Sequence, residues 1–257
     1  MGLLTTMQRS AADDGVQIAY YEWNAMAAGP PIVLQHGFTT TACGNWFASG
    51  IVDALVRGGR RVIALDARGH GQSDKPRDPA LYGDVRMARD VMGIVDRLDV
   101  EAYDLVGYSM GATIAVNVAV RDMRVRRLVL GGIGAYLVER AQTDGMLFSL
   151  EIANALEAEN PSRVVDLAGA WLRRVADASG ADRLALAALA RSTRSCVGLD
   201  RIAVPTLVLA GDCDAFAQGA DRLASAIPGA RLELVPGNHV QVLHDVRYAT
   251  RMLSFLS

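Results

Sequence analysis

The segment Leu105-Val106-Gly107-Tyr108-Ser109-Met110-Gly111-Ala112 decides the fold of this chain. Before it, residues 103–107 form an apolar run typical of a short buried strand, and after it residues 112–120 are apolar enough for a buried helix. Gly107 and Gly111 fit a sharp strand-to-helix turn, because two backbones approach closely there and a Cβ would clash. Ser109 at the apex would be strained, with its hydroxyl exposed beside the helix N-terminus. We therefore predict that Ser109 is a nucleophile.

The Gly-x-Ser-x-Gly pattern also arises by chance in plain turns, so its context matters. A nucleophilic serine needs a base, an acid that orients the base, and donors for the negative charge that develops on the substrate. The rest of the chain must supply these groups.

Composition and charge limit the classes of protein to consider. The chain has 257 residues, enough for one large α/β domain, and is 51% hydrophobic and 21% charged. Its 26 basic and 28 acidic residues give a net charge of −2, which predicts no nucleic-acid partner. We find no run of about 18 uncharged apolar residues and predict no membrane span. Three scattered cysteines (Cys43, Cys196, Cys213) and no secretory pattern predict a reducing, cytoplasmic compartment.

Strand and helix patterns alternate along most of the chain. Residues 17–23 follow a turn at 13–15, which predicts an N-terminal antiparallel hairpin. Further strands are predicted at 31–35, 61–65, 103–107, 126–132, 204–211 and 231–235, and helices at about 46–56, 84–98, 112–120 and 240–256. This alternation predicts a mostly parallel sheet with helices on both faces.

Residues 133–200 interrupt the alternation. Strand signals vanish there, alanine, leucine and arginine dominate, and Pro161 and Gly180 divide the stretch into about three helices. We predict that residues 1–132 and 201–257 form the core and that residues 133–200 form a helical cap (lid) inserted after the sixth strand. Two ordinary crossover helices with long loops are the alternative. The residues predicted to line a substrate pocket are Tyr108, Tyr136, Met146 and Trp171. The cap arginines (Arg173, Arg174, Arg183, Arg191, Arg194) are expected on a solvated face, or one of them binds a substrate carboxylate.

Candidate acid and base residues follow the last two predicted strands. In a parallel α/β sheet, ligands bind at the carboxyl ends of the strands. Gly211-Asp212-Cys213-Asp214 follows one of these strands, and Pro236-Gly237-Asn238-His239 follows the other. His239 can reach the serine as a general base, and an acid can orient its ring. Both Asp212 and Asp214 are candidates; we favour Asp214, because Asp212 can bond to the turn backbone. His244 falls inside the predicted last helix as a surface residue.

The order Ser109, Asp214, His239 is that of α/β-hydrolases. The chain resembles this superfamily, specifically its small, lidded esterase-like members, over nearly all of its length. The segments that carry the resemblance are His36-Gly37-Phe38, Asp66-Ala67-Arg68-Gly69-His70-Gly71-Gln72-Ser73, Gly107-Tyr108-Ser109-Met110-Gly111, Gly211-Asp212-Cys213-Asp214 and Gly237-Asn238-His239.

The resemblance implies the α/β-hydrolase fold with an eight-stranded sheet, and a catalytic triad of Ser109, Asp214 and His239. It implies an oxyanion hole made by the backbone N–H groups of Phe38 and Met110. It also implies a structural role for the loop at residues 66–73. We predict no metal site, because no two of His36, His70 and Asp66 lie at metal-ligand spacing on one element.

These features predict a serine hydrolase that cleaves a carboxylic ester or lactone of a small apolar substrate and needs no cofactor. With the same triad, the chain could instead be a C–C bond hydrolase, an amidase or a cofactor-free perhydrolase (haloperoxidase-like). A ligand-binding, receptor-like member with slow turnover is a further alternative. Members with an aspartate nucleophile are disfavoured, because position 109 is serine. The sequence makes no prediction of the oligomeric state.

Overall fold

The computed structural model describes residues 5–257; the predicted core begins at residue 1, so its first four residues lie outside the described part. One sheet contains β1 (Thr6–Ala11), β2 (Gln17–Trp23), β3 (Ile32–Gln35), β4 (Val62–Leu65), β5 (Tyr103–Tyr108), β6 (Val125–Gly131), β7 (Thr206–Gly211) and β8 (Arg231–Val235). The strand order is β1-β2-β4-β3-β5-β6-β7-β8. β2 runs antiparallel to β1 and β4, and the other neighbours are parallel. The predicted mostly parallel, eight-stranded sheet is confirmed.

Nine α-helices occur within residues 5–257. They are α1 (Ile51–Arg57), α2 (Asp84–Arg97), α3 (Met110–Ala119), α4 (Ala135–Ala141), α5 (Leu150–Glu157), α6 (Leu167–Ser179), α7 (Arg183–Arg191), α8 (Ala220–Ala226) and α9 (Val246–Leu256). Short 3-10 turns cover Pro79–Leu81, Pro161–Arg163, Leu199–Arg201, Ala215–Ala217 and Gln241–His244. In this described part of the chain, no helix is both long and apolar enough to span a bilayer.

Successive residues of the central strands face two separate hydrophobic cores. In β3, Val33 belongs to the core that contains the apolar faces of α2 and α3. Ile32 and Leu34 belong to the core that contains α1 and α9. This period of two is expected, because side chains of a strand alternate between the faces of the sheet. With both faces covered by helices, the loops at the carboxyl ends of the strands are where functional groups can gather.

Two predicted helices are interrupted near their first turns. The helix predicted over 46–56 is a π-turn at Cys43–Phe47 followed by α1. Gly50 separates them in the left-handed region (φ 80°), which glycine adopts without steric cost. The helix predicted over 240–256 is a 3-10 turn followed by α9, because the Asp245 carboxylate caps α9 by accepting from Arg247 N at 2.8 Å. The sequence had predicted that His244 lies inside the last helix. It lies instead in the 3-10 turn before α9.

The stretch 133–200 lies between β6 and β7 and contains four helices, α4 to α7, where the sequence predicted about three. It also holds a two-stranded ladder, Gly145–Met146 paired with Thr193–Arg194, which was not expected. Two residues per strand are too few to produce an alternating pattern, so the sequence carries no signal for it. Gly180 ends α6 in the left-handed region, as its place in the sequence suggested. We propose that residues 133–200 form a cap, since Phe148 stacks on Phe38 of the core with ring centroids 4.5 Å apart.

Candidate active site

Ser109 occupies a strained turn between β5 and α3. Its backbone has φ 56° and ψ −115°, a conformation that costs a non-glycine residue free energy and that is often found at functional sites. Its N–H donates to Gly131 O at 2.8 Å, which fixes the turn against β6. A Cβ on Gly107 would lie 2.2 Å from Gly111 O, and one on Gly111 would lie 2.1 Å from Gln35 O. Both glycines are therefore required by the close approach of the backbones.

His239 and Asp214 form a hydrogen-bonded pair. His239 Nδ1 lies 2.8 Å from Asp214 Oδ2, and the other carboxylate oxygen accepts from Phe216 N at 2.9 Å. The Asp214 side chain is fully buried, whereas 17% of the His239 side chain is exposed. Because a carboxylate can only accept, Nδ1 carries the proton of the neutral ring and Nε2 remains free as an acceptor. This is the tautomer that a general base needs.

Asp212 lies elsewhere, in the exposed part of the same turn. Its Oδ1 accepts from Gly237 N at 2.9 Å, and this backbone hydrogen bond is the main cause of a lowered pKa for the Asp212 carboxyl. Asp212 thus fastens the loop that precedes His239. Of the two candidate acids, the structure brings Asp214 to the histidine.

The tyrosine before the serine connects this histidine loop to the β5–α3 turn. Tyr108 Oη donates to the backbone carbonyl of His239 at 2.6 Å, and the two rings lie 5.1 Å apart between centroids. Ser109 and His239 line the same cavity. Within residues 5–257 the Ser109 hydroxyl makes no hydrogen bond to the histidine ring; in unliganded enzymes such contacts are often long and tighten on substrate binding.

Phe38 and Met110 line this cavity, and their backbone N–H groups donate no hydrogen bond within residues 5–257. The loop that holds Phe38 is fixed by two hydrogen bonds to the preceding residue, Gly37, one at its carbonyl group and one at its N–H group. His36 Nδ1 donates to Gly37 O at 2.7 Å, and the side-chain oxygen of Asn45 accepts from Gly37 N at 2.9 Å. Asn45 is a cavity residue that the sequence did not single out, because it lies in the unexpected π-turn. Its position beside Gly37 arises only from folding.

The cavity has a volume of about 830 Å³ and a mostly apolar wall. Three of the four predicted pocket residues, Tyr108, Tyr136 and Trp171, line it. The prediction for Met146 is wrong. Met146 belongs to the short ladder with Thr193, and 40% of the residue is exposed outside the cavity wall. A two-residue ladder leaves no pattern in the sequence, so nothing there indicated that Met146 lies in one.

Two further residues near His239 were missed by the sequence reasoning. The Phe216 ring lies 4.6 Å from the His239 ring and 5.8 Å from the Trp171 ring, between centroids, so it connects His239 to a residue of the stretch 133–200. The only sequence feature that could have indicated a place for Phe216 near His239 was its position two residues after Asp214. His244, which the sequence assigned to the surface, is exposed but also lines the cavity.

The loop at residues 66–73 is held in place by hydrogen bonds to the Asp66 carboxylate and connects to the chain just after Phe38. Asp66 accepts from Ala42 N and Gln72 N, both at 2.8 Å. His70 is buried with its ring centroid 5.0 Å from that of His36, and its Nε2 has no hydrogen-bond partner within residues 5–257. Burial, and then the nearby His36, lower the pKa of His70 to about 3. Within the described residues, no three side chains of His, Cys, Asp or Glu come together as a possible metal site.

The buried His70 predicts a loss of stability in mild acid. Its pKa of about 3 in the folded state is below the usual value of 6.5. The unfolded chain therefore binds more protons between these two pKa values, and stability falls as pH falls through that window. From pH 7 to pH 5, this one group is expected to cost roughly 2 kcal/mol of unfolding free energy. Urea unfolding at both pH values measures it.

His70→Phe removes the titrating group but keeps a ring in its place, so its unfolding free energy should depend less steeply on pH. The exposed His244 provides the control: His244→Gln should retain the slope of the parent protein. Identical slopes for the parent and His70→Phe would show that His70 is not buried in its neutral form.

With this fold and site described, comparison with known proteins identifies the family. A model described as "alpha/beta hydrolase fold" matches residues 30–146. A putative non-heme chloroperoxidase from Synechocystis sp. is 30% identical over 268 residues, covering 92% of this chain and 94% of that protein. A solved structure of a hydrolase from Pseudomonas aeruginosa is 28% identical, covers 98% of both chains and has a TM-score of 0.78. The chain belongs to the α/β-hydrolase fold family.

Several other relatives match only one segment of the chain. The 2-hydroxymuconate semialdehyde hydrolase from Pseudomonas sp. is 43% identical over 108 residues, which are 41% of this chain and 37% of that protein. The chain spans between 31% and 43% of the length of this and three other curated relatives. These matches support the family, while substrate and reaction are matters for proposal.

Proposed function

We propose that the protein is a serine hydrolase that cleaves a carboxylic ester or lactone of a small, largely apolar substrate through an acyl-enzyme. One observation carries the proposal: a histidine held by a buried carboxylate shares a cavity with a serine in a strained turn. In the proposed roles, Ser109 is the nucleophile, His239 the base and Asp214 the orienting acid. Membership of the α/β-hydrolase fold family supports this assignment.

In the proposed reaction, His239 Nε2 takes the proton from the Ser109 hydroxyl while the serine oxygen attacks the carbonyl carbon. The unpaired N–H groups of Phe38 and Met110 stabilise the negative oxygen that forms. One such donor contributes roughly 3 to 4 kcal/mol to lowering the barrier. The protonated histidine then donates its proton to the leaving alcohol, and in the second half of the reaction it activates water to release the acid. Asp214 stabilises the charged ring in both halves.

The cavity favours a small organic substrate. Its volume of about 830 Å³ lies within the usual range for small-molecule sites, and apolar side chains dominate its wall. We propose that the cap at residues 133–200 closes over this substrate and excludes water, since Trp171 contacts Phe216 beside the base. We also propose a cytoplasmic location, because the three cysteines are exposed and unpaired in the structure, as a reducing compartment would keep them.

A second candidate reaction is peracid formation. It is favoured by the relative named as a putative non-heme chloroperoxidase, whose match extends over 94% of that protein. In this reaction hydrogen peroxide replaces water in attacking the acyl-enzyme, and the acid is released as a peracid. The same serine, histidine and aspartate would serve both reactions. Adding peroxide to the ester assay and measuring peracid against free acid distinguishes the two.

Covalent labelling tests the proposal. We expect p-nitrophenyl acetate and butyrate to be hydrolysed without any added cofactor. Phenylmethanesulfonyl fluoride should abolish this activity at one equivalent per chain, and peptide mass spectrometry should locate the label on Ser109. Full labelling of Ser109 with activity retained, or a label on another residue that tracks the loss of activity, would contradict the proposal.

A further inference from the structure

The charged residues of the cavity wall do not balance. Apart from histidines, the charged residues that line the cavity within residues 5–257 are Asp84, Glu139, Arg140, Arg194 and Arg222. Arg222 lies 3.4 Å from Glu139, and these two charges offset each other at the surface. Two arginines then remain against one aspartate. The cavity wall therefore has an excess of positive charge.

Arg140 and Arg194 form no ion pair with a carboxylate in the described part of the chain. Their partners are mostly backbone carbonyls of the cap. Arg140 donates to Leu147 O at 2.5 Å and also to Met146 O, while Arg194 donates to the carbonyls of Arg140 and Thr143. Carbonyl groups orient a guanidinium but do not neutralise its charge. Burial, and then the charge of Arg194, lower the pKa of Arg140, so an anion here would relieve an existing cost.

Asp84 is not the missing counter-ion. Both of its oxygens accept from Ser195 N at 3.2 Å, and one of them also accepts from Asn117 Nδ2 at 3.3 Å. These hydrogen bonds tie the carboxylate to the chain that follows Arg194. Burial raises the pKa of the Asp84 carboxyl. The Asp84 charge acts to raise the pKa of Arg140, but Asp84 forms no ion pair with either guanidinium group within residues 5–257.

Both guanidinium groups still have hydrogen-bond donors to offer. Arg194 Nη2 and Arg140 Nε make no hydrogen bond within residues 5–257. The first of these groups lies close to Gly145, where a Cβ would come within 2.7 Å of Arg194 Nη2. Both arginines line the same cavity as Ser109 and His239. The Leu147 carbonyl bound by Arg140 immediately precedes Phe148, whose ring stacks on Phe38.

We propose that Arg140 and Arg194 form a subsite for a carboxylate group of the substrate. The substrates would then be esters or lactones that carry a second, ionised carboxyl group away from the bond that is cleaved. Guanidinium groups suit this role, because their fixed donors match the two oxygens of a carboxylate. The inference rests on the proposed function, since it identifies the substrate class of the same cavity.

Two matched pairs of esters test the subsite. Mono-p-nitrophenyl adipate and p-nitrophenyl hexanoate differ only by a carboxylate in place of a terminal methyl group on the acyl side. Acetates of 4-hydroxybenzoate and of 4-methylphenol make the same exchange on the alcohol side. We measure kcat/KM for each ester and compare the charged-to-neutral ratio among variants. In at least one pair, Arg194→Gln and Arg140→Gln should each lower this ratio about tenfold or more, by loss of a charge-assisted contact.

Arg191 is the matched control, because it lies on the cap, pairs with Glu157 at 2.6 Å and does not line the cavity. Arg191→Gln should leave the ratio unchanged. The subsite would be overturned if the charged-to-neutral ratio of kcat/KM were the same in the parent and in both cavity variants. This includes the case in which a variant loses activity equally toward charged and neutral esters. Hydrolysis of neutral esters at an unchanged ratio contradicts only the subsite, whereas no hydrolysis of any ester contradicts the proposed function itself.

Discussion

Replacing Ser109 with alanine is expected to lower kcat/KM for p-nitrophenyl butyrate by at least about a thousandfold. The methyl group cannot attack a carbonyl carbon, so only the N–H donors of Phe38 and Met110 and the cavity itself remain to assist water. The fold should tolerate the change. Because the Ser109 hydroxyl makes no hydrogen bond within residues 5–257, its removal leaves no partner unpaired, and stability should stay within roughly 0.5 kcal/mol.

Ser225→Ala is the control for this variant. Ser225 is an exposed serine on α8 that does not line the cavity, and its hydroxyl donates to Asp221 O at 2.8 Å. Its replacement should leave ester hydrolysis unchanged. Thermal denaturation should first show that Ser109→Ala and the parent protein are both folded. Equal rates of ester hydrolysis for the two would then exclude Ser109 as the nucleophile.

The second large effect concerns the acid. Asp214→Asn is expected to lower kcat by about ten-thousandfold, because an amide that donates to His239 Nδ1 forces the proton onto Nε2. The ring could then no longer accept the proton of Ser109. The asparagine oxygen can still accept from Phe216 N, which Asp214 now binds at 2.9 Å, so the loop should keep its shape. Single-turnover ester hydrolysis measures the loss at the acylation step.

Asp212→Asn provides the matched comparison, two residues away in the same turn. Asp212 accepts from Gly237 N in an exposed position, and an asparagine oxygen can make the same hydrogen bond. Its activity should stay within severalfold of the parent, since surface substitutions have small effects. If Asp212→Asn were the more damaging variant, Asp214 would not be the orienting acid.

The groups that the sequence located best are those fixed by local sterics. Gly107 and Gly111 were assigned to a close backbone approach, and a Cβ on either would lie within 2.2 Å of a carbonyl oxygen. The pairing of Asp214 with His239 could be anticipated only as the favoured one of two options. It depends on the path of a turn whose backbone also binds Gly237, and that path is set by β7 and β8 lying side by side.

The failures occur where long-range contacts decide the local structure. Met146 was predicted to line the pocket, but it pairs with Thr193 in a ladder whose two strands are far apart in the sequence. The last helix was predicted without a break, although Asp245 is able to cap a helix. The apolar pattern on both sides of Asp245 continues, so the choice between a capping and a surface aspartate needed the surrounding structure.

The sequence by itself determined the strands along the chain, their mostly parallel sheet, and the serine turn. These follow from runs of apolar residues and from glycines at fixed spacing, which act over a few residues. Only the tertiary structure decided the wall of the cavity and its charge. Arg140 and Arg194 are separated by 54 residues, yet Arg194 binds the carbonyl of Arg140. No local pattern encodes such a meeting, because it arises when the helices and loops of residues 133–200 pack against one another.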